Sequence, residues 1–176
     1  MPTATKVLGD RLSPLDRRPR TFASPGEALR ELAGAVSRTP VLASAYLQGG
    51  LEPELRERVM VAVSRVNACR GCTRVHERWA IRTGVTSKEL EAIGQGDLAA
   101  LDDRNRAAIV YATALAEARF RGPVGADLVA DVAESLTASE MTAVEAVARV
   151  MCLANLSANT AESLVERLRA EVVGAD

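Results

Sequence analysis

The residues best placed to do chemistry lie between Val66 and Ala80, in the stretch VNACRGCTRVHERWA. It holds two of the chain's three cysteines and its one histidine, at the spacing C-x-x-C-x-x-x-H. On a helix, residues three and four apart share a face, with Cβ atoms about 5–6 Å apart. Cys69 with Cys72, and Cys72 with His76, meet that condition. Cα separations across one turn lie within the reach of a disulfide. A bridge confined to one helical turn is expected to be readily reduced, as a working redox pair must be.

The neighbours suit the same chemistry. If a helix begins near Cys69, the free N–H groups of its first turn favour a thiolate there. Arg70 and Arg74 add positive charge, and Asn67 is placed to end the preceding helix and cap the new one. Gly71 removes a side chain between the cysteines and opens access for a substrate. His76 can take a proton from the Cys72 thiol, directly or through a water. A histidine used as a base needs a third group to orient it, and Glu57 is the candidate. It lies opposite the apolar face formed by Leu55, Val59, Ala62, Val63 and Val66, on a stripe with Met60, Val61 and Ser64. A carboxylate there is either at the solvent boundary, paired with an arginine such as Arg56 or Arg58, or buried with a partner.

Other uses of these residues fit less well. A structural zinc needs four ligands, and with one histidine the fourth would be Cys152 or a carboxylate. Cys152 sits in the apolar run VARVMCLANL and reads as a small buried hydrophobe. Covalent haem attachment needs C-x-x-C-H, and Thr73 occupies the final position. There is no nucleotide-binding loop, so no bound cofactor is expected.

The elements that must hold this stretch read as helices throughout. SPGEALRELAGAV offers Ser24 as N-cap, Pro25 at the first helical position and Glu27 as the partner of a capping box. PVLASAYLQGG is a second short helix stopped by Gly49 and Gly50. A third spans Pro53 to Val66, and a fourth carries the motif to Gly84. TSKELEAIG has Thr86 and Glu89 at capping-box spacing, with Gly94 as its stop. DDRNRAAIVYATALAEARF is capped by Asp102 or Asp103, and VGADLVADVAESL follows Pro123. From Thr137, with Glu140 completing another box, the chain is helical almost to its end. VMVAV, Val59 to Val63, could pass for a buried strand, but good helix formers flank it and no second strand is there to pair with it. The fold class is therefore all-α: one compact helical domain over residues 24–176, preceded by a tail or arm over 1–23. Within the tail, RRPR (Arg17 to Arg20) reads as solvated, with anion binding as the second reading. Trp79 reads as a core or interface anchor, and Asn155 and Asn159 as capping a kink or meeting another subunit.

Composition narrows the partners. The net charge is −1, the pI about 6.0 and the aromatic content 3%, which argues against nucleic acid as a partner. No unbroken apolar run is long enough to span a bilayer, so no membrane partner is expected. The N-terminus lacks a hydrophobic signal core, and three cysteines do not make a secreted disulfide scaffold, so a cytoplasmic location is expected.

The segment ERVMVAVSRVNACRGCTRVH, Glu57 to His76, resembles the signature of the alkylhydroperoxidase D/carboxymuconolactone decarboxylase family. In its thiol-dependent branch a glutamate stands twelve residues before the first cysteine of C-x-x-C-x-x-x-H, as Glu57 does before Cys69. The match centres on residues 51–93, including GVTSKELEAI, and extends more weakly to about 165. The resemblance implies an all-α fold and a peroxidase that reduces alkyl hydroperoxides. Cys72 would be the peroxidatic nucleophile, Cys69 would resolve its sulfenic acid as a disulfide, and His76 with Glu57 would relay protons. It further implies an external dithiol reductant, dihydrolipoyl or thioredoxin-like, and assembly as a trimer or hexamer. The peroxidase branch often carries a second histidine just before the second cysteine, where this chain has Gly71. That departure keeps a second activity in view, thiol–disulfide exchange or redox sensing with a protein partner. Members lacking the cysteines are decarboxylases, and the cysteines here weigh against that activity.

Overall fold

Leu55, Val59, Val61, Ala62, Val63 and Val66 are each at most 1% exposed, and with buried Glu57, Met60 and Ser64 they take up the whole circumference of one helix. A helix with neighbours on every side has no solvent face, so it reads as a continuous apolar run. That is why VMVAV resembles a buried strand in the sequence and is helical in the molecule. Leu55 and each of the valines contribute on the order of 1.5–3 kcal/mol by leaving water.

The structure, a computed structural model, describes residues 18–47 and 49–173. These form eight α-helices and no strand: α1 Pro25–Ser37, α2 Thr39–Leu47, α3 Pro53–Val66, α4 Arg70–Thr83, α5 Ser87–Gln95, α6 Asp103–Glu117, α7 Ala126–Ala133 and α8 Ala138–Val173, with a 3-10 turn at Leu98–Ala100. The buried central helix is α3. It packs against α4, α5, α6 and α8, while α1 and α2 lie against α8. The all-α reading holds throughout the described residues.

Most caps fall where the sequence puts them. Ser24 accepts from the Glu27 amide, Asp102 caps α6, and the Thr86–Glu89 and Thr137–Glu140 boxes both close. The Glu27 box differs in one respect: its carboxylate accepts from Ala23 N–H at 2.6 Å, one residue before the N-cap. Gly94 is not a stop. α5 continues to Gln95 and ends on Gly96 in the left-handed region (φ 73°). Gly94 lies inside the helix, where a Cβ would come within 2.9 Å of the Arg65 guanidinium, so the glycine is there for room.

The segment read as a solvated tail is anchored where it is described. Arg20 donates to the carbonyls of Ala116 and Glu117, at 3.1 Å each, capping the C-terminus of α6. Its own N–H reaches Asn67 O at 3.1 Å, and Phe22 N–H reaches Thr160 Oγ1. Residues 18–23 thus lie along the body; Arg17 and the rest of the arm fall outside the described residues. In α8, Ala138–Val172 is long and apolar enough to cross a membrane by length and composition, a feature hidden in the sequence because charges interrupt it. Half of its most apolar window is packed inside the bundle, with Val144, Val147, Met151 and Leu156 in the core.

Candidate functional site

The site is built on the tight link between α3 and α4. Asn67 ends α3, Ala68 adopts a left-handed conformation (φ 51°), and Cys69 begins α4. Ala68 N–H bonds Arg65 O at 2.9 Å and Cys69 N–H bonds Ser64 O at 2.9 Å. Those two bonds make a Schellman closure, with alanine where glycine is usual. Asn67 does not cap the new helix as the sequence suggests. Cys69 is the N-cap of α4 and makes no side-chain cap bond, while Asn67 turns inward.

The inward asparagine joins a buried polar network. Asn67 Nδ2 donates to Asn155 Oδ1 (3.2 Å) and contacts Cys152 Sγ (3.5 Å). Asn155 Nδ2 donates to Ser64 Oγ (3.3 Å), and Asn159 Nδ2 to the carbonyls of Asn67 and Arg20 (2.9 Å each). Asn155 and Asn159 therefore hold the cysteine-bearing link from within the same chain, rather than capping a kink or meeting another subunit. Sequence reasoning missed this role; the available signal was two amides four residues apart inside an otherwise apolar helix. Cys152 is buried as expected, and burial pushes its thiol up to about 11.

Cys69 and Cys72 are joined in a disulfide with Cα atoms 5.4 Å apart, within the range such a bridge needs. Cys69 is buried at 3% exposure, whereas Cys72 is only partly buried against the core. Thr73 N–H and Oγ1 both donate to Cys69 O at 2.9 Å. His76 stands one turn beyond Cys72, and its Nδ1 lies 2.9 Å from Glu57 Oε2. Glu57 is buried and paired with His76 rather than with a neighbouring arginine; Arg58 goes to Glu89 at 2.7 Å instead. Thus the four residues singled out in the sequence come together at the α3–α4 contact. A carboxylate accepting from Nδ1–H leaves Nε2 free to exchange a proton.

Tyr46 of α2 lies beside this pair. The Arg56 guanidinium sits 3.9 Å over its ring, and its hydroxyl points at Met60 Sδ. Burial raises the Tyr46 phenol, Arg56 opposes that, and the Glu57 charge adds to it. Trp79 is 51% exposed and stacks with Arg82, so it is not a core anchor. Gly71 faces open space, with nothing within 4 Å of an added Cβ. No three His, Cys, Asp or Glu side chains converge to hold a metal among the described residues. A cavity of about 320 Å³ between α6 and α7, lined by residues such as Arg106, Leu128 and Asp131, is separate from the sulfurs.

Residues 37–114 match the model of the carboxymuconolactone decarboxylase family. The match covers less than half of the chain. It runs from the end of α1 through most of α6 and contains Glu57, Cys69, Cys72 and His76. The family includes alkylhydroperoxidase D-like proteins as well as decarboxylases. Among curated proteins, nothing matches the chain.

Proposed function

We propose that the chain is a thiol-dependent peroxidase that reduces alkyl hydroperoxides. The observation carrying this reading is the Glu57–His76 pair, held at 2.9 Å one turn from the more exposed sulfur of a bonded cysteine pair. His76 takes the proton of the Cys72 thiol. The thiolate attacks one oxygen of the O–O bond, that bond breaks, and the alkoxide leaves with the proton from His76. Cys72 becomes a sulfenic acid, and the Cys69 thiol displaces its oxygen as water to close the disulfide. A dithiol reductant, dihydrolipoyl or thioredoxin-like, restores both thiols and departs as its own disulfide. Glu57 orients the imidazole through its Nδ1.

Free thiols should be counted before and after one equivalent of an alkyl hydroperoxide. Wild type loses two thiols. Cys69→Ser consumes one equivalent and stops, and Cys72→Ser consumes none. Consumption by wild type no faster than by Cys72→Ser ends the peroxidase reading.

A second reading, thiol–disulfide exchange with a protein, is favoured by Val75 (48% exposed) and Trp79 on the flank of α4 that carries Cys72. An apolar surface beside a reactive sulfur suits a docking protein. A Cys69→Ser variant that yields no mixed disulfide in oxidatively stressed cells counts against it. Self-assembly as a trimer or hexamer finds support in exposed Leu29, Leu32 and Val36 on one stripe of α1, and sedimentation measures it.

A further inference from the structure

We propose that the cavity along the α3–α4 flank is an anion-binding subsite. It would take the carboxylate or phosphate group of a molecule whose other end reaches the cysteine pair. The cavity holds about 350 Å³ and is lined by Arg65, Arg70, Thr73, Arg74 and Glu77. A smaller hollow shares three of those residues and adds Ala68. Three guanidinium groups against one carboxylate leave a formal lining charge of 3 − 1 = +2. Arginine presents a planar fork of donors that fits both oxyanion classes.

The arginines are arranged as if for a guest. Arg65 is fixed by Glu77 at 2.6 Å and by the room Gly94 leaves for its guanidinium. Its Nε is buried without a hydrogen-bond partner. Arg70 and Arg74 are exposed, one turn apart on α4, and have no ion pair among the described residues. Like charges at that spacing repel, which a bound anion would reverse.

The smaller hollow reaches the head of α4 beside the Cys69 backbone. Ala68 and Arg70 flank Cys69, and Thr73 Oγ1 bonds the Cys69 carbonyl. Cys72 and His76 lie on the other flank of the helix. Going round its solvent side from Arg74 to Cys72, the first-turn residue crossed is Gly71, where no side chain stands in the way. A molecule anchored by its anion can therefore cross the first turn to Cys72. That last clause rests on the redox reading above; the anion site itself does not.

Two measurements on the full chain test it without reading peroxide turnover. The first titrates hexanoate, inorganic phosphate and 1-hexanol at fixed ionic strength, following backbone amide shifts. At least one anion should give saturable shifts at Arg70, Thr73 and Glu77, and Arg70→Gln or Arg74→Gln should weaken it about fivefold. Which anion binds assigns the carboxylate or phosphoryl source. No saturable anion shift, or equal shifts with 1-hexanol, overturns the site. The second compares alkylation of reduced Cys72 by iodoacetate and by neutral iodoacetamide. The iodoacetate/iodoacetamide rate ratio should fall about fivefold in the Arg70→Gln/Arg74→Gln variant, while Arg78→Gln, removing one charge outside the cavity, leaves it unchanged. An unchanged ratio in the double variant, or an equal fall with Arg78→Gln, overturns the reach to the sulfurs.

Discussion

His76 Nδ1 lies 2.9 Å from Glu57 Oε2 across the contact between two consecutive helices, nineteen residues apart in the chain. The buried helix α3 supplies the carboxylate, and the partly exposed helix α4 supplies the imidazole. Proton transfer by a positioned side chain contributes roughly 10²–10⁴-fold to rate. We expect His76→Ala to slow hydroperoxide turnover about a hundredfold. Glu57→Gln, which keeps a hydrogen bond but not the charge, should slow it about tenfold. Initial rates check this; a Glu57→Gln rate equal to that of wild type would make the pair structural only.

The left-handed alanine of the link gives a second expectation. Ala68 holds φ 51°, a conformation that costs an L-residue about 1–2 kcal/mol. Glycine removes that cost but gains freedom when unfolded. Ala68→Gly should stabilise the fold by about 0.5–1 kcal/mol, measured as a rise in urea midpoint at unchanged slope.

The asparagine network predicts coupled losses. Asn155→Ala takes the oxygen acceptor from the buried Asn67 amide, while the Ser64 hydroxyl loses one partner and keeps Met60 O. Each orphaned buried polar group costs about 1–3 kcal/mol. The Asn67→Ala/Asn155→Ala pair should lose less than the sum of the single losses, because both single changes break the same bond. A double-mutant cycle in denaturant reads the difference; strict additivity would mean the network is not one unit.

Acid should loosen α1. Burial alone would push the Glu27 carboxyl up, but Ala23 N–H together with Arg119 and Arg121 holds it below the usual glutamate value. Its folded value is lowered, so its contribution is present above the unfolded value near 4.3 and is lost as pH falls through the folded one. In Glu27→Gln, stability at pH 7 should drop and its fall between about pH 5 and pH 3 should flatten. Thermal melts over that range check it.

Much of this was legible in the sequence, for identifiable reasons. Caps and breakers act locally, so Ser24, Thr86, Asp102 and Thr137 marked helix starts correctly. That Cys69, Cys72 and His76 lie together could be read because one-turn spacings translate directly into shared faces, and that Glu57 joins them because a carboxylate on an apolar stripe needs a partner. What stayed hidden was tertiary. Gly94 looked like a stop because nothing in its neighbours announces an arginine arriving from α3. Asn67 looked like a cap because its partners sit almost ninety residues away. Arg20 looked solvated because the carbonyls it caps belong to α6.

One consequence follows from how Cys69 is bolted down. Its N–H is committed to Ser64 O, and its carbonyl receives both donors of Thr73. The backbone that carries the inner sulfur is therefore a stationary post. Whatever travel is needed to part and rejoin the two sulfurs falls to Cys72, the half of the pair with a glycine before it and water within reach.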